Sequence, residues 1–310
     1  MMRLASPVVR LRAESLGDVG RRWLEELPDT VAKLEARWRV SLDRSLSGGT
    51  AAFVGSGRTM DGVPVVLKIG VPDPAIRTEI GTLDRAKGRG YVRLLAHDES
   101  RGAMLLEALG QSLSNSGLSP EQQLGILSAL ASTAWTVARP EAGPAAMPIN
   151  KAAELRDLVD RLWRDLDPVC PASVRDEALA CADRRAAAFD PAECVVVHGD
   201  AAAANALRVL APREGGETGF VFVDPDGFVG ESAYDLGVAL RDWCPELSAA
   251  EDPRALIASF AELLSAPSGV SAQTILDWAY LERVSTGLFC LSMGARDLGE
   301  PFLTTARALL

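Results

Sequence analysis

Histidine is scarce in this chain: His97 and His198 are the only two among 310 residues. That excludes a His-rich metal centre and makes each of the two worth weighing. The five cysteines, Cys170, Cys181, Cys194, Cys244 and Cys290, are odd in number, widely spread and form no C-x-x-C pair. Neither a disulfide framework nor a zinc knuckle is supported. No apolar run approaches the ~20 residues that a membrane-spanning helix needs. The apolar stretch at the N-terminus is broken by Pro7, Arg10 and Arg12, so it lacks the uninterrupted core of a secretory signal. A cytoplasmic protein with no membrane partner is expected. Internal repeats are missing, and so is any basic excess. The net charge of −10 argues against a nucleic-acid partner, which a basic patch would mark.

What is there reads as a globular protein. Hydrophobic residues make up 48% and charged residues 24%, values that exclude a disordered chain. The length suffices for one large domain or two lobes. The acidity is unevenly placed: residues 190–310 hold 18 Asp and Glu against 7 Arg and no Lys, whereas the first 189 residues are nearly neutral. Such a bias keeps a protein soluble, and it also focuses a field on a cationic small molecule.

Residues 14–38 carry an apolar stripe (Trp23, Leu24, Leu27, Leu34, Trp38) that predicts helix, with Pro28 breaking it and Asp29 capping a second piece. Alternating, Gly-rich residues 39–54 and the β-prone run Val63–Ile69 predict strands around the turn-like GSGRTMDG. A helix is expected near Ala75–Gly88, then strands at Tyr91–His97 and Ala103–Leu106. After a Ser/Gly-rich passage from Gly110 to Pro120, helical periodicity takes over at 120–138, 151–166, 173–189, 250–264 and 271–292. A short β insertion (Cys194–Val197, Ala206–Leu210, Phe220–Val223) interrupts it. The class is α+β: an N-terminal antiparallel sheet lobe with one main helix over 1–110, and a mainly helical lobe over 111–310.

The strongest local signal is V-V-V-His198-G-Asp200-A-A-A-A-Asn205. Phosphoryl-transfer loops of the form H-x-D-x-x-x-x-N have this spacing, because an Asp must take or orient the acceptor's hydroxyl proton while an Asn reaches back to a magnesium ion on the phosphates. The plainer alternative is a satisfied core histidine followed by a helix-capping Asp. Nineteen residues past Asn205, a strand ends in Asp224-Pro225-Asp226-Gly227, where a second metal-binding carboxylate is expected; D-P-D-G is also good turn chemistry. Upstream, Lys68 lies on the predicted strand V-P-V-V-L-K-I, and Glu79 follows on the next helix, the arrangement of a phosphate-binding lysine and its glutamate partner. Gly48, Gly49 and Thr50 lie between strands, where backbone N–H groups cradle phosphate. Glu107 and Leu109 lie where a linker strand would offer its backbone to adenine.

These motifs, with V-R-L-L-A-H-D, M-L-L-E and V-D-P-D-G-x-x-G-E-x-A-Y-D-L, resemble in order and spacing the aminoglycoside phosphotransferase family. The likeness is nearest to its streptomycin 6-phosphotransferase and hydroxyurea phosphotransferase branch and covers about residues 20–290. It implies a two-lobed, protein-kinase-like fold, and ATP with Mg²⁺ as cofactors. It makes Asp200 the catalytic base, Asn205 and Asp224 the metal ligands, Lys68 and Glu79 the phosphate-binding pair, and His198 with Asp235 supports of the catalytic loop. The implied activity is phosphorylation of a hydroxyl on a streptomycin-type aminoglycoside, with antibiotic resistance as its consequence. The acidic C-terminal part favours a cationic acceptor, for which Asp226, Glu231, Glu246, Asp277 and Glu282 are candidate contacts. One departure stands out: Ala201 to Ala204 fill the loop where relatives carry bulkier or polar residues. Two other readings stay open: a kinase of another small metabolite (hydroxyurea, a sugar or an amino sugar), and a kinase-like binding protein without catalysis.

Overall fold

The computed structural model describes residues 5–46, 51–166 and 169–310. The chain divides into two compact units, Met1–Gly110 with Arg208–Val221, and Gln111–Leu207 with Phe222–Leu310.

The first unit opens with helices α1 (Pro7–Ser15) and α2 (Asp18–Trp38). Ser6 caps α1 by accepting the Val9 N–H, and Pro7 stands in the first turn, where its missing N–H costs nothing. Helix α2 corrects the expected break at Pro28: the proline lies inside one continuous helix. Pro28 is exposed, and it leaves the carbonyl one turn back without its helical donor. Leu27, Val31 and Leu34 pack on either side of it against Phe53, Leu67, Ile69 and Ala103. Burial of that stripe outweighs the ~3 kcal/mol propensity cost of an interior proline.

The sheet comprises β1 (Val40–Ser45), β2 (Ala52–Thr59), β3 (Pro64–Gly70), β4 (Leu94–Asp98) and β5 (Ala103–Glu107), with α3 (Ala75–Ala86) between β3 and β4. Its order is β1-β2-β3-β5-β4, all neighbours antiparallel. Strand β3 is therefore central, and Lys68 on it pairs with Val54 on one side and Met104 on the other. Asp98 at the end of β4 is buried and accepts hydrogen bonds from Arg37 (2.6 Å), Arg101 (2.6 Å) and Ser100 (2.6 Å), which ties α2 to the β4–β5 turn.

Strand β6 (Leu109–Ser112) leads to α4 (Pro120–Ala134), α5 (Lys151–Asp165) and α6 (Ala172–Ala187). Then come β7 (Val195–Val196), β8 (Ala206–Val209), β9 (Phe220–Phe222) and β10 (Val229–Gly230). Helices α7 (Ala233–Arg241), α8 (Cys244–Ala249), α9 (Pro253–Ser268), α10 (Ala272–Ser292) and α11 (Arg296–Ala308) complete the chain. Strands β7 and β10 pair antiparallel, and β6-β8-β9 form a three-stranded sheet. The core of the second unit gathers on α10, whose Trp278, Leu281, Val284 and Leu288 meet residues of α5, α6, α7 and α11. At Gly237 on α7 a methyl group would stand 2.2 Å from the Trp278 Cβ, so only glycine lets α7 approach α10 this closely.

The segment Arg208–Val221 belongs with the first unit through Arg213. Its guanidinium donates to the Gly88 (2.7 Å) and Tyr91 (2.9 Å) carbonyls and to both carboxylate oxygens of Glu107. The sequence, which divides simply near residue 110, gives no sign of this return. Among the described residues no helix is long and apolar enough to cross a membrane.

Candidate active site

In the first unit, the Lys68 ammonium lies 2.6 Å from a carboxylate oxygen of Glu79, and both side chains are about nine-tenths buried. Strand β3 fixes the lysine from both neighbours, and the apolar face of α3 (Ile80, Leu83, Ala86) packs inward and carries Glu79 with it. Two opposite charges this deep are tolerated because each satisfies the other. The glycine-rich cradle expected at Gly48, Gly49 and Thr50 lies outside the described residues. Glu107 has both its side chain and its N–H engaged: the carboxylate accepts from Arg213 and from the Arg93 N–H (2.8 Å), and its own N–H goes to the Arg93 carbonyl. Leu109 begins β6 and is half-buried.

In the second unit, the segment after β7 forms a loop held almost wholly by backbone and buried polar groups. Asp235, fully buried on α7, accepts the N–H groups of His198 (2.8 Å) and Gly199 (2.9 Å) and the indole N–H of Trp135 (3.0 Å). Burial pushes the Asp235 carboxyl up, while His198 and these three donors pull the other way. His198 is buried: its Nδ1 accepts the Asp200 N–H (3.1 Å) and its Nε2 donates to the Val223 carbonyl (2.9 Å), which fixes the proton on Nε2. The His198 carbonyl accepts the Asp226 N–H (2.8 Å), stapling the loop to the D-P-D-G turn. Gly199 is needed there. It has φ +91°, and a Cβ would stand 2.6 Å from that of Asp226.

Asp200 emerges from this frame with its side chain 43% exposed. One carboxylate oxygen accepts the Asn205 amide N–H (2.8 Å) and the other the Arg241 guanidinium (2.9 Å). The Asn205 amide also donates to the Asp200 carbonyl (2.9 Å). Because a carboxylate only accepts, the Asn205 NH₂ must face Asp200, and its oxygen is turned away as a possible ligand. Asp224 is exposed and holds φ +57°, a conformation rare outside glycine and met at functional sites. An amide oxygen and an exposed carboxylate suit a hard divalent cation that takes its other ligands from phosphate and water. Among the described residues no group of three His, Cys, Asp or Glu side chains could hold a metal by itself.

The five acidic residues expected around an acceptor differ in burial and partners. Asp277 is 2% exposed and bonded to Arg184 (2.8 Å), with Arg185 at 3.4 Å; Glu231 pairs with Arg185 (3.1 Å). Both carboxylates are thus paired with arginines of α6 within the fold. Glu282, also buried, takes the Tyr234 O–H (2.6 Å) and faces Arg241 at 3.5 Å. Burial pushes its carboxyl up, opposed chiefly by Arg241. Asp226 is exposed; partial loss of surrounding water, then the charge of Asp200, push its carboxyl up. Glu246 lies half-buried on α8. Sequence reasoning missed Arg241 and Trp135. Both reach Asp200 or its support across many residues of chain, and no local spacing signals either.

The family model described as aminoglycoside/hydroxyurea antibiotic resistance kinase matches residues 37–294. The chain belongs to that family. It is a phosphotransferase acting on a hydroxyl acceptor, as the resemblance implies. A streptomycin 6-kinase of Streptomyces glaucescens is 26% identical over 310 residues, covering 100% of this chain and 97% of the relative. A choline/ethanolamine kinase family protein of Mesorhizobium loti superposes with a TM-score of 0.60 at 17% identity, covering 91% and 94% of the two chains. An aminoglycoside phosphotransferase of Streptomyces rimosus, solved with ADP and streptomycin, gives 0.51 at 17% identity, covering 83% and 98%. At these identities the structural likenesses establish the protein-kinase-like fold.

Proposed function

We propose that this kinase transfers the γ-phosphoryl group of ATP to a hydroxyl of a streptomycin-type aminoglycoside. The observation that carries the reading is the held pair Asp200–Asn205: an exposed carboxylate on a rigid loop, with an amide oxygen left for a metal. Asp200 accepts or aligns the proton of the attacking hydroxyl. Lys68, kept in place by Glu79, binds phosphate oxygens. Asn205 and Asp224 hold Mg²⁺, which when bound neutralises charge on the phosphates. The chain's own contribution is positioning and electrostatics, with no covalent enzyme intermediate. Gly48, Gly49 and Thr50 are assigned to the phosphates, and Glu107 and Leu109 to adenine, on their place in the sequence.

A cationic acceptor is favoured by the acidic surplus of residues 190–310 and by Asp200, Asp224 and Asp226 clustered in one loop and turn with exposed side chains. Attraction of that kind weakens with salt. The family description also names hydroxyurea, a small neutral acceptor that needs no such field.

The test is ATP consumption over streptomycin, other aminoglycosides, hydroxyurea and amino sugars, with mass detection of the added phosphate. Streptomycin phosphorylation, with an acceptor KM that rises steeply with salt, is expected. Turnover confined to hydroxyurea or a neutral sugar, with a salt-indifferent KM, would overturn the acceptor assignment.

A further inference from the structure

We infer that Arg241 is a positioning residue for Asp200, a role that rests on the reading of Asp200 as the group that takes the acceptor's proton. Asp200 stands on a loop with nearly half its side chain in water, so one hydrogen bond from Asn205 leaves its carboxylate plane free to turn. The Arg241 guanidinium supplies the second restraint, on the other oxygen, at 2.9 Å.

Arg241 is itself fixed. Its side chain is 16% exposed, its Nε donates to Asp242 at 2.8 Å, and its Nη1 lies 3.5 Å from Glu282, which the Tyr234 hydroxyl holds at 2.6 Å. Its planar fork serves three carboxylates at once: Nη2 reaches Asp200 and, at 3.4 Å, Asp242, which Nε also holds, while Nη1 faces Glu282; a lysine's point charge does not reproduce this. The guanidinium sits at the C-terminal end of α7, while the same helix carries Asp235, the carboxylate that holds the His198 and Gly199 N–H groups. Helix α7 thus grips the loop twice, by its backbone through Asp235 and by its reactive side chain through Arg241. Were Arg241 only a counter-charge for Asp242 and Glu282, its bond to Asp200 would be dispensable.

The experiment is a double-mutant cycle on the full chain, read by single-turnover transfer to streptomycin or to whichever acceptor the panel returns. Arg241→Lys should lower kcat on the order of 100-fold, the scale of a misplaced reacting group, with the KM for ATP changed no more than about two-fold. In an Asp200→Asn background the same change should cost less than about three-fold, because residues acting as a unit are non-additive. Asp242→Asn, at a half-exposed position, guards against loss of folding: it loosens Arg241 without removing it and should lower kcat roughly ten-fold with the same dependence on Asp200. Equal losses in both backgrounds, or a wild-type kcat in Arg241→Lys, would overturn the inference. Wild-type turnover in Asp200→Asn alone would instead refute the role given to Asp200, leaving the two failures distinguishable.

Discussion

Replacing Asp235 by Asn exchanges one oxygen of a fully buried carboxylate for an NH₂ group, and the consequence can be worked from its three donors. In the native loop one oxygen accepts from the His198 N–H and the Trp135 indole, the other from the Gly199 N–H. An amide can keep its oxygen toward the first pair, but its NH₂ then faces the Gly199 N–H, donor against donor. One charge-assisted bond is lost, roughly 1.5–3 kcal/mol, and the other two weaken from charged to neutral acceptors, roughly 0.5–1 kcal/mol each. Against this stands relief of burying a charge, which the upward shift of the Asp235 carboxyl registers; the net cost is about 2–3 kcal/mol. Urea unfolding followed by tryptophan fluorescence measures it, and Trp135 lies at the site. Trp135→Phe alone should cost about 1 kcal/mol, since two donors still satisfy the carboxylate. The double variant should cost less than the sum by at least about 0.5 kcal/mol. Turnover should fall with loop order in Asp235→Asn, at concentrations of urea where the protein is fully folded. An unchanged urea midpoint together with unchanged kcat would refute the account of how this loop is held.

Two further outcomes follow from buried charges. Lys68→Met removes the cation 2.6 Å from a glutamate that is 7% exposed; it should destabilise by roughly 3–5 kcal/mol, and adding Glu79→Leu should recover much of that loss. Thermal melts of the three proteins check it. At Asp98, burial works to raise the carboxyl, but Ser100, Arg101 and Arg37 outweigh it and hold the group below its ordinary value. A depressed folded value means stability that is present above the unfolded value, about 3.9, and is lost as pH falls through the folded one. Both arginines are about half-exposed, so solvent screening keeps the contribution at about 1–2 kcal/mol. Urea midpoints of wild type and Asp98→Asn should differ at pH 7 and converge below pH ~4.

The parts of the site that local chemistry forces were legible in the residues. A lysine within a β-branched run, followed eleven residues later by a glutamate on an amphipathic helix, can meet across a strand–helix turn, and they do. The H-G-D-x-x-x-x-N spacing could be read because the Asp200–Asn205 bond is itself local. Long-range restraints were not. Trp135 lies 100 residues from Asp235, and Arg241 lies 41 from Asp200. Helix α7 escaped notice because Ala233 to Leu240 are all buried, and burial on every side erases the periodicity that marks a surface helix. Helix α2 failed differently: the proline signal was real, but packing on both sides of it was stronger. Asp277, named on sequence as a candidate acceptor contact, is buried against two arginines of α6 that no local spacing places beside it.

The four alanines between Asp200 and Asn205 acquire a physical account from the same geometry. Ala201 and Ala202 are buried, the latter in the core of the second unit, where a larger side chain would need space that is already filled. The turn that sets the Asp–Asn separation is made by backbone bonds, Ala202 N–H to the Asp200 carbonyl (2.8 Å) and Asn205 N–H to the Ala202 carbonyl (3.0 Å), and closed by the Asn205 amide on the Asp200 carbonyl (2.9 Å). None of these needs a side chain at positions 201 to 204. The run of alanines therefore removes bulk from the loop without removing any group that holds Asp200, Asn205 or His198 in place. What it does change is the surface presented by Ala203 and Ala204, which are half-buried and exposed and carry nothing larger than a methyl group.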